Sequence, residues 1–384
     1  MTVAEAVSAA LANGARVAVG RADTAVARAQ LAIAGALPNP VLAGSYTRSA
    51  PQLHATIDLP FDLPYLRNVR VRGARAARRA ADLRFELTRA EVRYDVDTAY
   101  AAGLAARSRA ELSAESARNG DSLLTLVRQQ RDAGYASELD VELAQINAGQ
   151  QLNVAETDSL AATQALLTLQ NLMGLPAERP SIALADSLDT LIAAARGLTE
   201  RQALRGSPAV ATLLPVAAAG AEFESRDLAL RLSRRRGALV PALQFGVEGR
   251  DPTGGPKGLL PIIGLSIPLP LFNRYGGEIA YAEAGRRRAA AELDAARRDA
   301  GAAIAAAQRE IAQAQRRLDR ERSLLQTARD VARKALIAYH EGASALPAVL
   351  QAQQSARDTF AQYISDALAV AKAAAAIRLS TATQ

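Results

Sequence analysis

The chain has two imidazoles, His54 and His340, and they lie far apart in sequence. An imidazole can act as general base or metal ligand near neutral pH, but it needs a fitting partner at hand. No His-Glu-x-x-His run sets two ligands on one helix face, and no Gly-x-x-x-x-Gly-Lys-Ser/Thr loop is present to cradle phosphate. No Gly-x-Ser-x-Gly turn presents a nucleophile. Cysteine is absent, which excludes disulfides, cysteine-ligated zinc and a thiolate nucleophile. The glycine-rich stretch Asp251 to Gly258 joins two candidate strands and reads as a strand-to-strand loop. These residues predict no enzyme, no catalytic residue, no cofactor and no resident metal. His54 stands between Leu53 and Ala55 with Thr56 and Asp58 beyond, on the polar side of an alternating segment where a passing metal ion could touch it.

The charge pattern narrows the partners. The net charge is +7, almost all of the basic residues are Arg, and Lys occurs at 257, 334 and 372. A basic balance can signal nucleic acid or an anionic membrane surface. Here the Arg alternate with Asp and Glu along helical stretches, which is a solvated helix face, and no basic cluster is interleaved with stacking aromatics. The expectation is no nucleic acid. Apolar residues make up 49% of the chain yet aromatics only 4%, because much of the apolar content is Ala. Alanine forms helix well and is too small to fill a wide core, so it suits helices packed closely along their length.

Those helices are laid out twice. Gly134, Val141, Ala144 and Gln145 recur as Gly342, Val349, Ala352 and Gln353, and Ile57-Asp58-Leu59-Pro60-Phe61 is echoed by Ile267-Pro268-Leu269-Pro270-Leu271. Each copy predicts a leading helix, two Pro-bounded strands, a very long helix, a Gly-containing turn and a return helix. The first repeat is read as 1–174, with strands about 41–61 and a hairpin about 69–173. The second is read as 207–384, with strands about 242–268 and a hairpin about 277–379. Residues 175–206 form a linker, in which Pro180 to Leu184 is expected as a short strand. Each long helix holds about 65 residues, which spans roughly 100 Å. In the second, Ile304, Ile311, Leu318, Leu325, Ala332 and Tyr339 recur every seven residues, a coiled-coil seam.

The strands are two-faced. Leu53, Ala55, Ile57 and Leu59 alternate with His54, Thr56 and Asp58, and Leu243, Phe245 and Val247 with Gln244, Gly246 and Glu248. Such runs fit membrane-spanning strands as well as a sheet over a soluble core. Four strands cannot close a barrel, and open edges in lipid leave backbone groups unsatisfied. If the strands cross a membrane, several chains must share one barrel.

At this point the pattern resembles the TolC family of outer-membrane efflux factors, and more narrowly its heavy-metal, CzcC/CusC-like branch. The most specific stretch is Ile267 to Ile279, with Leu37-Pro38-Asn39-Pro40 and Tyr339-His340-Glu341-Gly342. The resemblance implies a mainly α fold with a small β part. Duplicated long helical hairpins would form an α-barrel, and four strands per chain would contribute to a trimeric 12-stranded transmembrane β-barrel. It implies a homotrimer in outer-membrane lipid with a periplasmic helical tunnel. Its partners would be a periplasmic adaptor, or membrane fusion, protein and an inner-membrane RND-type pump. It would conduct heavy-metal ions or small toxic compounds passively. It places a periplasmic gate at the hairpin tips, with Asp140, Glu138, Gly134, Gly342 and Gln351. Ala348 and Gln351 depart from the acidic pattern there, as does Ser344 from arginine. His54, Asp58, Gln244 and Glu248 would face the barrel lumen, and Pro270, Asn273 and Gly277 would form the strand-to-helix junction. No leader is visible ahead of the amphipathic segment at Glu5, so a signal peptide is expected to be missing from this sequence. The competing readings are a non-enzymatic coiled-coil scaffold and a periplasmic adaptor protein.

Overall fold

The computed structural model describes residues 1–49, 51–205, 209–235, 241–249, 258–267 and 272–383. The elements are α1 (Val3–Asn13), α2 (Ala15–Gly35), β1 (Val41–Tyr46), β2 (Leu53–Pro60), α3 (Pro64–Asp132), α4 (Glu138–Leu172), α5 (Leu188–Arg205), α6 (Leu214–Arg235), β3 (Ala242–Gly249), β4 (Leu260–Ser266), α7 (Gly276–His340) and α8 (Leu346–Ser380). α3 starts on Pro64, whose fixed φ suits a first helical turn. The next proline is Pro176, so nothing interrupts its hydrogen-bond ladder. α7 is likewise free of proline.

Two compact units result. One holds Met1–Val19, Glu86–Leu213 and Asp299–Gln384, the other Gly20–Phe85 and Leu214–Arg298, so each sequence repeat supplies both units. In the first unit, the heptad seam of α7 is buried at Ile304, Ile311, Leu318 and Tyr339, with Ala307 and Ala314 between. It loosens at half-buried Leu325 and Ala332, where a cavity of about 710 Å³ opens among α3, α7 and α8. Two carboxylates are sunk into this helical packing. Asp97 accepts from Arg378 Nη2 at 2.7 Å and Nε at 3.1 Å, and Asp366 faces Arg317 at 3.3 Å.

The linker strand expected at Pro180 to Leu184 does not form; the segment has no regular structure. Its backbone is satisfied by a buried side chain. Gln170 Oε1 accepts from Ser181 N at 2.7 Å, and Gln170 Nε2 donates to Pro176 O at 2.6 Å and Arg179 O at 2.9 Å. Nearby, the Tyr100 hydroxyl accepts from Asp186 N at 3.3 Å. Burial, reinforced by the Asp186 carboxylate, pushes this phenol up to about 12. A raised tyrosine pKa favours the protonated form in the folded state. Its stabilising contribution is whole below the ordinary value of 10.0 and is lost as pH climbs from there to about 12. Melting curves should show the Tm falling over that window, and Tyr100→Phe should flatten the fall; an unchanged slope would remove Tyr100 as its source.

In the second unit the sheet order is β1-β2-β3-β4, antiparallel throughout. The central pair, β2 and β3, joins strands from the two repeats. Gly246 sits where a Cβ would lie 2.5 Å from Ala55 O and 2.7 Å from Thr56 Cγ2, so the close approach there requires glycine. Where β2 leads into α3, Arg70 grips Asp62 through two bonds of 3.1 and 2.9 Å and donates to Ala34 O at 2.8 Å. Arg67 donates to Gly35 O at 3.0 Å. The orphan carbonyls at the end of α2 are thus capped by arginines of α3.

Candidate functional site

On the central strands β2 and β3 the register separates two chemically distinct faces, although Val41, Leu260 and Ile262 of the outer strands lie on the polar one. Leu42 lies opposite Ile57, which lies opposite Phe245, which lies opposite Ile263. With Leu53, Leu59, Val247 and Leu265, they make one apolar face, and it is bare: Leu42 is 75% exposed and Ile263 78%. An apolar surface of this kind marks contact with lipid or another protein. The other face gathers all four polar residues singled out from the sequence into two cross-strand pairs. His54 lies opposite Glu248 and Asp58 opposite Gln244, with His54 Nδ1 3.5 Å from Glu248 Oε2. Asp58 Oδ1 is buried without a hydrogen-bond partner. No group of three potential metal ligands occurs among the described residues.

At the second junction, Asn273 Oδ1 accepts from Tyr275 N at 2.9 Å, an Asx turn that leads through Tyr275 at φ 59° into α7. Gly277 lies in the first turn of α7 with open space where a Cβ would stand. Pro270 lies outside the described residues. Exposed aromatics follow the strands in both copies, Phe61 and Tyr65 in the first, Phe272 and Tyr281 in the second.

The hairpin tips carry the duplication down to single hydrogen bonds. Gly134 has φ 80° and Gly342 φ 72°. Tyr135 N donates to Gln130 O, and Ala343 N to Ala338 O, both at 2.8 Å. These are paired left-handed helix ends of the Schellman type. One apolar core serves both tips, built from Leu124 and Val127 of α3, Val141 and Ala144 of α4, Tyr339 of α7 and Val349 of α8. The return helices then diverge. Ser137 caps α4: Asp140 N donates to Ser137 Oγ at 3.1 Å, and Ser137 N and Oγ donate to Asp140 Oδ2 at 3.0 and 2.7 Å. In the second copy the equivalent cap is Ala345, with no side-chain bond and a proline in the first turn.

Asp140 is therefore first of all half of a capping box. Glu138 beside it is exposed and pairs with Arg131 at 3.1 Å. Gln351, on α8, turns away to Ser355 Oγ at 3.4 Å. A further residue belongs with them. Tyr339 is buried at the end of α7, its hydroxyl has no hydrogen-bond partner, and burial together with the Asp140 charge pushes its pKa upward. The sequence marks Tyr339 as the last residue of the heptad seam; only the fold sets it against Asp140. Replacing Asp140 with Ala removes one side of the cap, at about 1 kcal/mol, along with the charge facing Tyr339. The first turn of α4 should loosen, read as faster amide hydrogen exchange there; unchanged exchange would show that the cap contributes nothing.

Residues 6–175 and 260–383 match a family model described as outer membrane efflux protein. No curated protein matches the chain significantly in sequence. The fold is similar to the outer membrane protein VceC from Vibrio cholerae, with a TM-score of 0.78 and 17% identity over 100% of this chain and 97% of that one. It is similar also to the CmeC outer membrane channel of Campylobacter jejuni, with a TM-score of 0.80 and 13% identity over 99% and 85%. CusC follows with a TM-score of 0.76 and 15% identity over 100% and 92%. The likeness is spread evenly over the three and singles out no branch. The matched residues take in both long hairpins and the strands β1, β2 and β4, and the chain belongs to the outer membrane efflux protein family.

Proposed function

We propose that three copies of the chain assemble into the outer-membrane exit duct of a tripartite efflux system, conducting heavy-metal ions or small toxic compounds from the periplasm to the exterior. The observation that carries this reading is the bare apolar face of a four-stranded sheet with unsealed edges at β1 and β4. In lipid such a sheet is tolerable only when copies join edge to edge. The twelve strands then close a barrel whose polar face, with His54, Asp58, Gln244 and Glu248, lines the lumen. The helices supply a matching argument for assembly. Leu139, Ile146 and Leu160 of α4 and Leu324 and Val331 of α7 are exposed at heptad spacing, seams that call for helices beyond the chain's own. The tips form the periplasmic gate, with Asp140, Glu138 and Gln351 near its opening and Gly134 and Gly342 shaping the turns. A periplasmic adaptor and an inner-membrane RND-type pump complete the system. The assembly should fractionate with outer membranes and run in mild detergent at about three times 40.3 kDa. A monomer stable in water without detergent would end this reading.

A further inference from the structure

A cavity of about 470 Å³ lies beside the first sheet-to-helix junction, lined by Leu31 and Gly35 of α2 and by Arg67, Asn68, Arg72 and Arg75 of α3. Three guanidinium groups border it and no carboxylate does. Arg67 is partly engaged, by Gly35 O and by Asp62 at 3.5 Å. Arg72 and Arg75 are exposed, and among the described residues neither has an ion-pair or hydrogen-bond partner. Asp62 gives them no relief, because it is 7% exposed and already held by both donors of Arg70. Arg72 and Arg75, like charges without a counter-ion of their own, repel, so the cavity is complementary to an anion, and the planar donor fork of arginine matches phosphate oxygens in particular.

The order of residues leading into the cavity identifies the kind of anion. β2 ends its apolar face at Leu59. Exposed Phe61 and Tyr65 follow, and then Arg67 and its neighbours. Apolar strand, aromatic girdle and basic cluster reproduce in sequence the layers of hydrocarbon, interface and headgroup. Leu31 and Val71 add an apolar wall beside the arginines. We infer that this cavity binds the phosphate headgroup of an anionic phospholipid in the leaflet on the helix side of the sheet. The inference rests on the membrane-spanning reading of the sheet.

The test uses the full chain in detergent, first shown to open conductance in planar bilayers. Native mass spectrometry then follows titration with short-chain phosphatidylglycerol, short-chain phosphatidylcholine and inorganic phosphate in turn. Phosphatidylglycerol should bind best. Arg72→Gln with Arg75→Gln should weaken it at least about tenfold and leave conductance unchanged. Gly35→Leu should weaken it without altering charge, since a Cβ there meets nothing within 4 Å and the added side chain occupies the cavity. Equal binding of the two lipids, or an unaffected double variant, would overturn the proposal. Inorganic phosphate binding as tightly as phosphatidylglycerol would overturn the lipid as its source. A chain that never conducts contradicts the membrane reading itself, whereas one that conducts without anionic preference contradicts this inference alone.

Discussion

Arginine in place of Phe245 should keep the chain out of the outer membrane, while arginine in place of the adjacent Gln244 should not. Phe245 sits mid-strand on the apolar face, between Ile57 and Ile263. A cationic side chain on the lipid face of a barrel costs about 2–4 kcal/mol at mid-depth, and the proposed threefold assembly would incur it three times. Gln244 points to the opposite face beside Asp58, where a guanidinium stays solvated and meets a carboxylate. Membrane fractionation and native gels should show Phe245→Arg failing to assemble. Gln244→Arg should assemble and shift the reversal potential toward anion selectivity. Should both variants insert equally well, the apolar face is not in lipid.

A second large effect is expected where α8 meets α3. The Asp97 side chain is 7% exposed and depends on Arg378 for its compensation. Arg378→Met strands a buried carboxylate, and losing one partner of such a pair costs about 3–5 kcal/mol. Adding Asp97→Leu removes the stranded charge, so the double variant should recover most of the loss. Chemical denaturation of the four proteins measures this directly. A double variant as unstable as Arg378→Met would assign the loss to packing around the arginine stem instead of to charge.

The helices and strands were legible because proline brackets them and periodicity fills them. Pro38, Pro40, Pro60 and Pro241 mark strand borders, the seven-residue seam marks α7, and alternation separates His54, Asp58, Gln244 and Glu248 from their apolar neighbours. What alternation could not supply was register. That His54 meets Glu248 depends on pairing β2 with β3 across an intervening hairpin, a long-range choice with no local signature. The expected linker strand failed for a related reason: Gln170, inside α4, takes up Ser181 N, while the Met1 amine and Arg107 take up Ala183 O and Leu184 O, and nothing in the local sequence announces them. Asp140 shows the opposite case. The family resemblance placed it at the tip, and the Ser-x-x-Asp spacing with Ser137 also encodes a helix cap. Tyr339 stayed hidden because an aromatic at a seam position reads as packing until its hydroxyl is seen to lack a partner.

The outer strands of the sheet, β1 and β4, come from opposite repeats, and the even strand count makes them antiparallel to each other. A neighbour's β1 can therefore continue β4 without breaking the alternation, and a threefold ring closes by repeating one head-to-tail joint. In the proposed threefold assembly, a copy spoiled only along β1 would still present a sound β4 and be recruited, yet every ring that admitted it would stay open to lipid. With good and spoiled copies mixed equally at random, only about one ring in eight escapes. Damage confined to one border of this small sheet would thus be inherited as a dominant trait.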